Sequence, residues 1–170
     1  MKKIDKVVIG NFRSFGIPET EYSFDSNELV LFSGNNGAGK TTILTAINFV
    51  LFGQYKKGIN LDRLINKVNK KNMFGRVYFD SEYYIERTRK PTTVKIFKLN
   101  KNSNEYEELP MTTRDAQAHI DELIGRSSEL FNSLILFTKD NLNFMEMNPT
   151  EKRAYKNSVL GMDWIDSDLS

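Results

Sequence analysis

The sequence predicts an α/β domain in which a phosphate-binding loop precedes a helix and an antiparallel β portion follows. Three observations lead to this prediction. Residues 34–41 match the pattern G-x-x-x-x-G-K-[ST] between an apolar segment and an amphipathic one. Residues 74–99 hold three stretches rich in β-branched and aromatic residues, separated by turn formers. The 170 residues suffice for one domain or a large piece of one, and no internal repeat is evident.

The N-terminal elements lead up to the loop. Ile4–Phe15 suits a strand, and Tyr22 lies in a second short strand after a proline break. Glu28–Ser33 is apolar enough to predict a buried strand that feeds the loop. Thr41–Phe52 has apolar residues on one helical face, and Gly53 follows where a helix commonly ends. The loop is therefore expected between a strand and a helix.

The rest of the chain alternates strands and then helices. A fourth β stretch at Tyr106–Leu109 precedes three helical patterns, which begin near Thr112, Ser127 and Asn148. The first of these helices is expected to end at Gly125. The three earlier stretches predicted as antiparallel strands are Phe74–Tyr78, Tyr83–Arg87 and Val94–Leu99.

Composition excludes several functional classes. The 39% hydrophobic content supports a core, while no apolar run approaches the ~20 residues that span a bilayer. The N-terminus has no apolar segment of a secretory signal. The chain has no cysteine and one histidine, which excludes disulfides and thiolate metal sites and disfavours zinc. We expect a protein of the cytoplasm of a bacterial or phage-infected cell, with no membrane contact.

The net charge of +2 conceals a basic middle third. Residues 53–101 contain thirteen Lys/Arg and four acidic residues, whereas residues 102–170 contain six and thirteen. Such a field attracts nucleic-acid phosphates, although a solvated lysine-rich surface is the alternative interpretation. The candidate DNA contacts are Lys56, Lys57, Lys70, Lys71, Arg87, Arg89 and Lys90.

The phosphate loop predicts a nucleoside triphosphate ligand. Its glycines allow the backbone to turn and to point N–H groups at an anion, next to the positive end of the following helix dipole. Lys40 is expected to reach the β- and γ-phosphates, and the Thr41 hydroxyl to bind Mg²⁺.

A catalytic carboxylate is not evident in this chain. ATP hydrolysis of this type needs an acidic residue at the end of an apolar strand. Asp121-Glu122 lies in a helical pattern, and Asp140 comes too late after the apolar residues 134–137 to end a strand there. The sequence therefore predicts half of a site, completed by residues from elsewhere.

Three segments of the chain resemble those of a known family. The order Asn11–Phe15, Gly34–Thr42 and Leu51–Gly53 is similar to the N-terminal half of SMC-like DNA-repair ATPases. Within them, Leu64–Asn66 and residues 131–149 resemble SbcC-type subunits that partner a metal-dependent nuclease, with a narrower likeness to the large subunit of phage recombination endonucleases.

The resemblance implies an ATPase head of the ABC/SMC type. Residues 1–170 would form its N-terminal lobe and lead into a coiled coil near their C-terminal end. The C-terminal half of the same head would supply the acidic strand and a catalytic glutamate. Two heads would enclose two ATP molecules with Mg²⁺, regulate a nuclease subunit and act on double-stranded DNA.

The resemblance also assigns site residues. Relatives place a glutamine that touches Mg²⁺ where this chain has Lys139, and lysine has only donors. Asp140 or Asn141 is the candidate replacement beside Thr41. The candidate nucleotide contacts are Arg13, Ser14, Asn35, Asn36, Gly37, Ala38, Gly39, Lys40, Thr41 and Thr42.

The sequence leaves three other functions open. A RecF-type or overcoming-lysogenization-type DNA ATPase or nuclease shares the first strand and the loop. A small phosphotransferase usually opens almost directly with the loop strand, whereas 33 residues precede Gly34 here. A transporter ATPase shares the head architecture, but the segment Asn11–Phe15 would be unusual there.

Overall fold

The computed structural model describes residues 3–24, 30–55, 60–125, 148–150 and 152–153. The chain divides into two compact units, Met1–Gly125 and Arg126–Ser170. The first unit holds the sheet, the phosphate loop and two helices. In the part of the chain that is described, no helix combines the length and the apolar character needed to span a bilayer.

Six antiparallel strands form the sheet of the first unit: β1 (Ile4–Gly10), β2 (Thr20–Ser23), β3 (Met73–Phe79), β4 (Tyr83–Arg89), β5 (Thr93–Asn100) and β6 (Glu105–Glu108). Across the sheet they lie in the order β2-β1-β3-β4-β5-β6. The predicted middle strands are confirmed, and β3 to β6 follow one another as hairpins. Strand β3 alternates buried and partly exposed residues along its whole length, as expected for a sheet with one covered face.

Helix α1 (Lys40–Phe52) packs on the covered face of this sheet. Nine of its thirteen residues are buried, and seven of these are apolar residues of the core. The contact is close at Gly75 of β3, where an added Cβ would lie 2.6 Å from a methyl group of Val50. Phe12, which follows β1, meets Phe49 edge to face at 5.7 Å between ring centroids. The phosphate loop therefore leads into a helix that packs against both the sheet and Phe12.

Helix α2 (Thr113–Ile124) begins and ends as the sequence predicts. Thr112 caps its N-terminus by accepting a hydrogen bond from the Asp115 N–H. Gly125 ends it in the left-handed conformation, and its N–H donates to the Asp121 carbonyl. Between α1 and β3, the chain forms a 3₁₀ helix at Leu61–Leu64.

The predicted buried strand before the phosphate loop is wrong for its described residues. Residues 30–33 form no strand, and the side chains of Val30 and Leu31 are 41% and 87% exposed. A strand needs a neighbour for its backbone N–H and C=O groups. Every pairing in the six-stranded sheet is made by other segments, so this apolar segment has no partner strand within the described residues.

In the second unit, the helix predicted to begin at Asn148-Pro149 is present in its described first turn. Residues 149, 150, 152 and 153 are helical, and the Lys152 N–H donates to the Asn148 carbonyl at 2.9 Å. The helix predicted from Ser127 lies outside the described residues.

Candidate nucleotide-binding site

The phosphate loop closes around the ammonium group of Lys40. Its Nζ donates to the carbonyl oxygens of Gly34 at 2.6 Å and of Asn35 at 2.9 Å. An ammonium group has three donors, so one remains for a phosphate oxygen. The loop residues 34–38 are exposed to solvent. The arrangement presents a positive charge at the mouth of an open backbone turn.

The loop needs glycine where its backbone turns most sharply. Gly37 and Gly39 have φ angles of +87° and +95°, a region that other residues rarely adopt. An added Cβ on Gly37 would meet nothing within 4 Å, so space remains above the loop at that position. Such a turn can admit a bulky anion close to its backbone.

The N-terminus of α1 offers its N–H groups to that anion. Its cap residue is Gly39, no side chain caps the first turn, and no acidic residue lies in that turn. The orphan N–H groups and the helix dipole therefore favour a negative ligand. Thr41 is exposed at this end of the helix, as a hydroxyl ligand for Mg²⁺ requires.

An aromatic cluster anchors the two ends of the loop. Phe32, two residues before the loop, meets Tyr22 at 6.3 Å and Phe24 at 5.9 Å, both edge to face. Tyr22 in turn contacts Phe15 at 6.3 Å. The Phe15 ring lies against Gly39, where an added Cβ would be 2.6 Å from the ring. The cluster holds the loop to β2 although residues 30–33 form no strand.

Arg13 lies on the same turn as Phe15, as the candidate site requires. Its guanidinium stacks on Tyr55 at 5.0 Å from the ring centroid and donates to the Tyr55 hydroxyl. Ser14, beside it, is exposed. Planar guanidinium groups suit phosphate contacts and stacking on a base. Tyr55 carries no motif signal, and sequence reasoning missed it; its only cue was its place shortly after the loop helix.

Arg87 lies at the opposite end of α1. Its Nε donates to the Val50 carbonyl at 2.9 Å, and its Nη2 donates to Leu51 at 3.4 Å and to the Gln117 side chain. Burial lowers the pKa of Arg87 to about 10, against a smaller opposing effect of Asp121, so the group stays protonated at neutral pH. A cation at the negative end of a helix dipole is stabilising. These contacts occupy the guanidinium, so Arg87 is not proposed as a DNA contact, although the sequence suggests it.

A basic surface forms where β3, β4 and the 3₁₀ helix meet. Asp62 pairs with Arg89 at 2.7 Å and Lys90 at 2.8 Å, and these two bonds lower the pKa of the Asp62 carboxyl. The Asn72 N–H donates to the Lys90 carbonyl at 3.0 Å, which brings the exposed Lys70 and Lys71 close to this pair. Arg63 and Lys67 are also exposed on the adjoining segment. Lys56 and Lys57 lie outside the described residues.

Among the described ranges, no group of three or more acidic or histidine side chains could hold a metal ion. Asp121 and Glu122 are exposed on α2, as the sequence predicts. Lys139, Asp140 and Asn141 lie outside the described residues.

The sequence of this chain is similar to those of several known proteins. A family model described as "AAA domain" matches residues 6–162. Exonuclease subunit 2 of Enterobacteria phage T4 is 30% identical over 162 residues, which are 93% of this chain and 28% of that protein. DNA replication and repair protein RecF of Clostridium botulinum is 27% identical over 89% of this chain and 36% of its own length. The chain thus spans about a third or less of these curated relatives.

One solved structure has the same fold. It comes from work on "ATP-driven dimerization and DNA stimulated activation of SMC ATPases", and it superposes with a TM-score of 0.65 at 20% identity. The match covers 92% of this chain and 98% of that one. The α/β fold of the ABC/SMC head type is therefore confirmed. With a model match over most of its length, the chain belongs to the AAA domain family, as an ATPase domain related in sequence to exonuclease subunit 2 and RecF and in fold to SMC heads.

Proposed function

We propose that this chain is the ATP-binding N-terminal lobe of an SMC-like head in a DNA recombination or repair machine. In it, ATP joins two heads, and hydrolysis separates them and regulates a nuclease subunit. The observation that carries the proposal is a phosphate loop with its lysine and helix N-terminus in place, while no acidic cluster accompanies it in the described residues. The names of the phage relatives support a nuclease context.

Exposed apolar residues near the loop support the proposal that a C-terminal half of the head packs there. Val30 and Leu31 lie four and three residues before the loop, are 41% and 87% exposed, and pair with no strand of the sheet. Burying a leucine side chain stabilises a fold by about 1.5–3 kcal/mol relative to exposure. A C-terminal half that adds strands here would cover both residues and bring an acidic strand end beside the phosphates.

Within this proposal the described residues bind and orient the triphosphate. Loop N–H groups and Lys40 hold the β- and γ-phosphates, and Thr41 would hold Mg²⁺. The bound Mg²⁺ supplies positive charge that stabilises the phosphates during transfer to water. Without the second lobe and second head, the transition-state charge lacks part of its stabilisation. We therefore expect weak nucleotide binding and negligible turnover from residues 1–170 alone.

The first experiment measures ATP binding and turnover in the natural full-length protein and in residues 1–170. We expect turnover only in the former, with Lys40→Ala abolishing binding. Lys101→Ala is the matched control, because Lys101 is exposed and pairs with Glu82 in the β hairpins, away from the loop helix. Brisk hydrolysis by residues 1–170 as a monomer, or unchanged affinity in Lys40→Ala, would refute the proposal.

We place double-stranded DNA on the surface formed by Lys70, Lys71, Arg89 and Lys90. Phosphate contacts of this kind carry little sequence preference and weaken steeply with salt. Reversing the charges of Lys70 and Lys71 to Glu is expected to weaken DNA binding by the ATP-bound dimer at every sequence. Lys98→Glu/Lys101→Glu is the control with the same change in charge. Equal losses from both double variants would exclude this surface.

A RecF-type ATPase is the second candidate, because RecF matches 89% of the chain. The two functions predict different continuations of the gene beyond residue 170. A long heptad pattern favours the SbcC-like head, whereas its absence favours the RecF-type protein. In the RecF-type case, size measurements would show ATP-dependent dimers that form no stable complex with a nuclease.

A further inference from the structure

Asn66 lies beneath the turn that carries Arg13, and its side chain uses its full hydrogen-bonding capacity. It is 7% exposed. Its Nδ2 donates to the carbonyl oxygens of Arg13 at 2.9 Å and Phe15 at 3.2 Å. Its Oδ1 accepts from the N–H groups of Val68 at 2.9 Å and Asn69 at 3.1 Å. An asparagine amide has two donors and one oxygen with two lone pairs, so every position is filled.

The turn held by this amide is one that needs outside support. Asn11 and Arg13 have φ angles of +51° and +52°; asparagine tolerates this region, whereas arginine adopts it only when the surroundings hold it there. Two backbone bonds join the same segments: Arg13 N–H to the Leu64 carbonyl at 2.6 Å, and Asn66 N–H to the Asn11 carbonyl at 2.8 Å. The side chain of Asn66 adds the two bonds that reach the middle and the far end of the turn.

The turn then touches the phosphate loop. The ring of Phe15 packs on Gly39, the N-cap residue of the loop helix, and Arg13 stacks on Tyr55. A shift of the turn would therefore move the ring against Gly39 and the guanidinium beside it. Because interiors are close-packed, such a shift is transmitted to the loop rather than absorbed.

We propose that Asn66 is a positioning residue for nucleotide binding, which sets the turn Asn11–Phe15 against the phosphate loop without itself touching the ligand. This inference rests on the nucleotide site proposed above. It extends that site to a segment more than twenty residues beyond the loop. It also gives a physical role to the asparagine in the sequence Leu64–Asn66.

Asn66→Asp tests the donor group of the amide separately from its oxygen. The aspartate keeps an oxygen for the Val68 and Asn69 N–H groups, but it has no donor for the carbonyls of Arg13 and Phe15 and repels both of them. In the natural full-length protein with Mg²⁺, we expect ATP to bind at least about 10-fold more weakly, with a raised KM and a kcat within about threefold of wild type.

The control is Asn100→Asp. Asn100 likewise caps a local turn through Oδ1, accepting from the Asn102 N–H at 2.9 Å, and donates Nδ2 to Glu107 at 2.6 Å. It lies in the β5–β6 hairpin and has the same side-chain chemistry. We expect its ATP affinity to stay within about twofold of wild type.

The outcomes distinguish this inference from the function on which it rests. If the wild-type protein binds no ATP, the proposed function fails. If Lys40→Ala loses binding while Asn66→Asp binds ATP like wild type, the site stands and the role of Asn66 is overturned. A lower Tm with unchanged KM would also overturn it, since that marks a purely structural residue. Should Asn66→Asp not fold, Asn66→Ala removes both donors without adding charge and is judged by the same criteria.

Discussion

Arg87 offers the sharpest test of how the loop helix is held. Its guanidinium meets the last carbonyls of α1 and the Gln117 side chain, and Gly53 leaves room for it, since an added Cβ there would lie 2.7 Å from Nη1. The perturbation is Arg87→Met, which keeps an unbranched apolar chain over the core and removes only the charged head.

The expected loss follows from the bonds. Two of the three contacts are well within hydrogen-bond range, and bonds from a charged donor contribute about 1.5–3 kcal/mol each. Leu51 keeps a second donor, Gln117 Nε2 at 3.0 Å, so its carbonyl stays satisfied. Burial of the charge offsets part of this gain, as the lowered pKa of Arg87 indicates. We therefore expect the free energy of unfolding to fall by about 2–4 kcal/mol, and Tm to fall by roughly 10 °C.

The assay is urea and thermal unfolding followed by circular dichroism, with an unchanged m-value as the sign of a simple stability change. Arg114→Met is the matched control, because Arg114 is exposed in the first turn of α2, and its effect is expected within about 0.5 kcal/mol. A loss below about 1 kcal/mol for Arg87→Met would show that the guanidinium does not stabilise the helix end as described.

Three further predictions concern the loop, the basic surface and the outer face of the sheet. Gly39→Ala is expected to weaken ATP binding more than Gly37→Ala in equilibrium titrations; both positions have positive φ, but only Gly39 lies against a ring, so equal effects would contradict the packing argument. Asp62→Asn is expected to strengthen DNA binding at low salt, measured by fluorescence anisotropy, because it releases two cations; weaker binding would point to an organising role for the carboxylate. Burial raises the pKa of Tyr84 to about 12 from 10, so the folded state binds more protons between these pH values, and this residue's contribution to stability is present below pH 10 and is lost as pH rises towards 12. Phenolate absorbance should show a late-titrating group that Tyr84→Phe removes, and the same curve for both proteins would refute the assignment.

Local patterns were sufficient for most elements of the first unit. The β-branched and aromatic stretches in residues 74–99, separated by turn formers, predicted three strands, because such side chains pack well on a pleated sheet. Thr112 and Gly125 marked both ends of α2, since capping is a short-range interaction. The phosphate loop was likewise predicted from residue spacing alone, because the groups expected to contact the phosphates lie on consecutive residues.

Long-range partners decided what local patterns could not. The apolar run before the loop looks like a strand, but strand formation depends on a neighbouring backbone, and none of the described segments supplies one. Arg87 looked like a surface cation by charge, whereas the fold turns it towards the end of α1.

By itself, the sequence determined that this protein has a phosphate-loop motif before a helix, an antiparallel sheet after it and a basic middle segment. These features depend on neighbouring residues, on side-chain periodicity and on charge, which a linear chain displays directly. Tertiary structure alone decided which basic residues face solvent, that Asp62 pairs with two of them, and that Asn66 holds the Arg13 turn across a gap of 53 residues. Such contacts arise only when distant segments pack together, so no local pattern contains them.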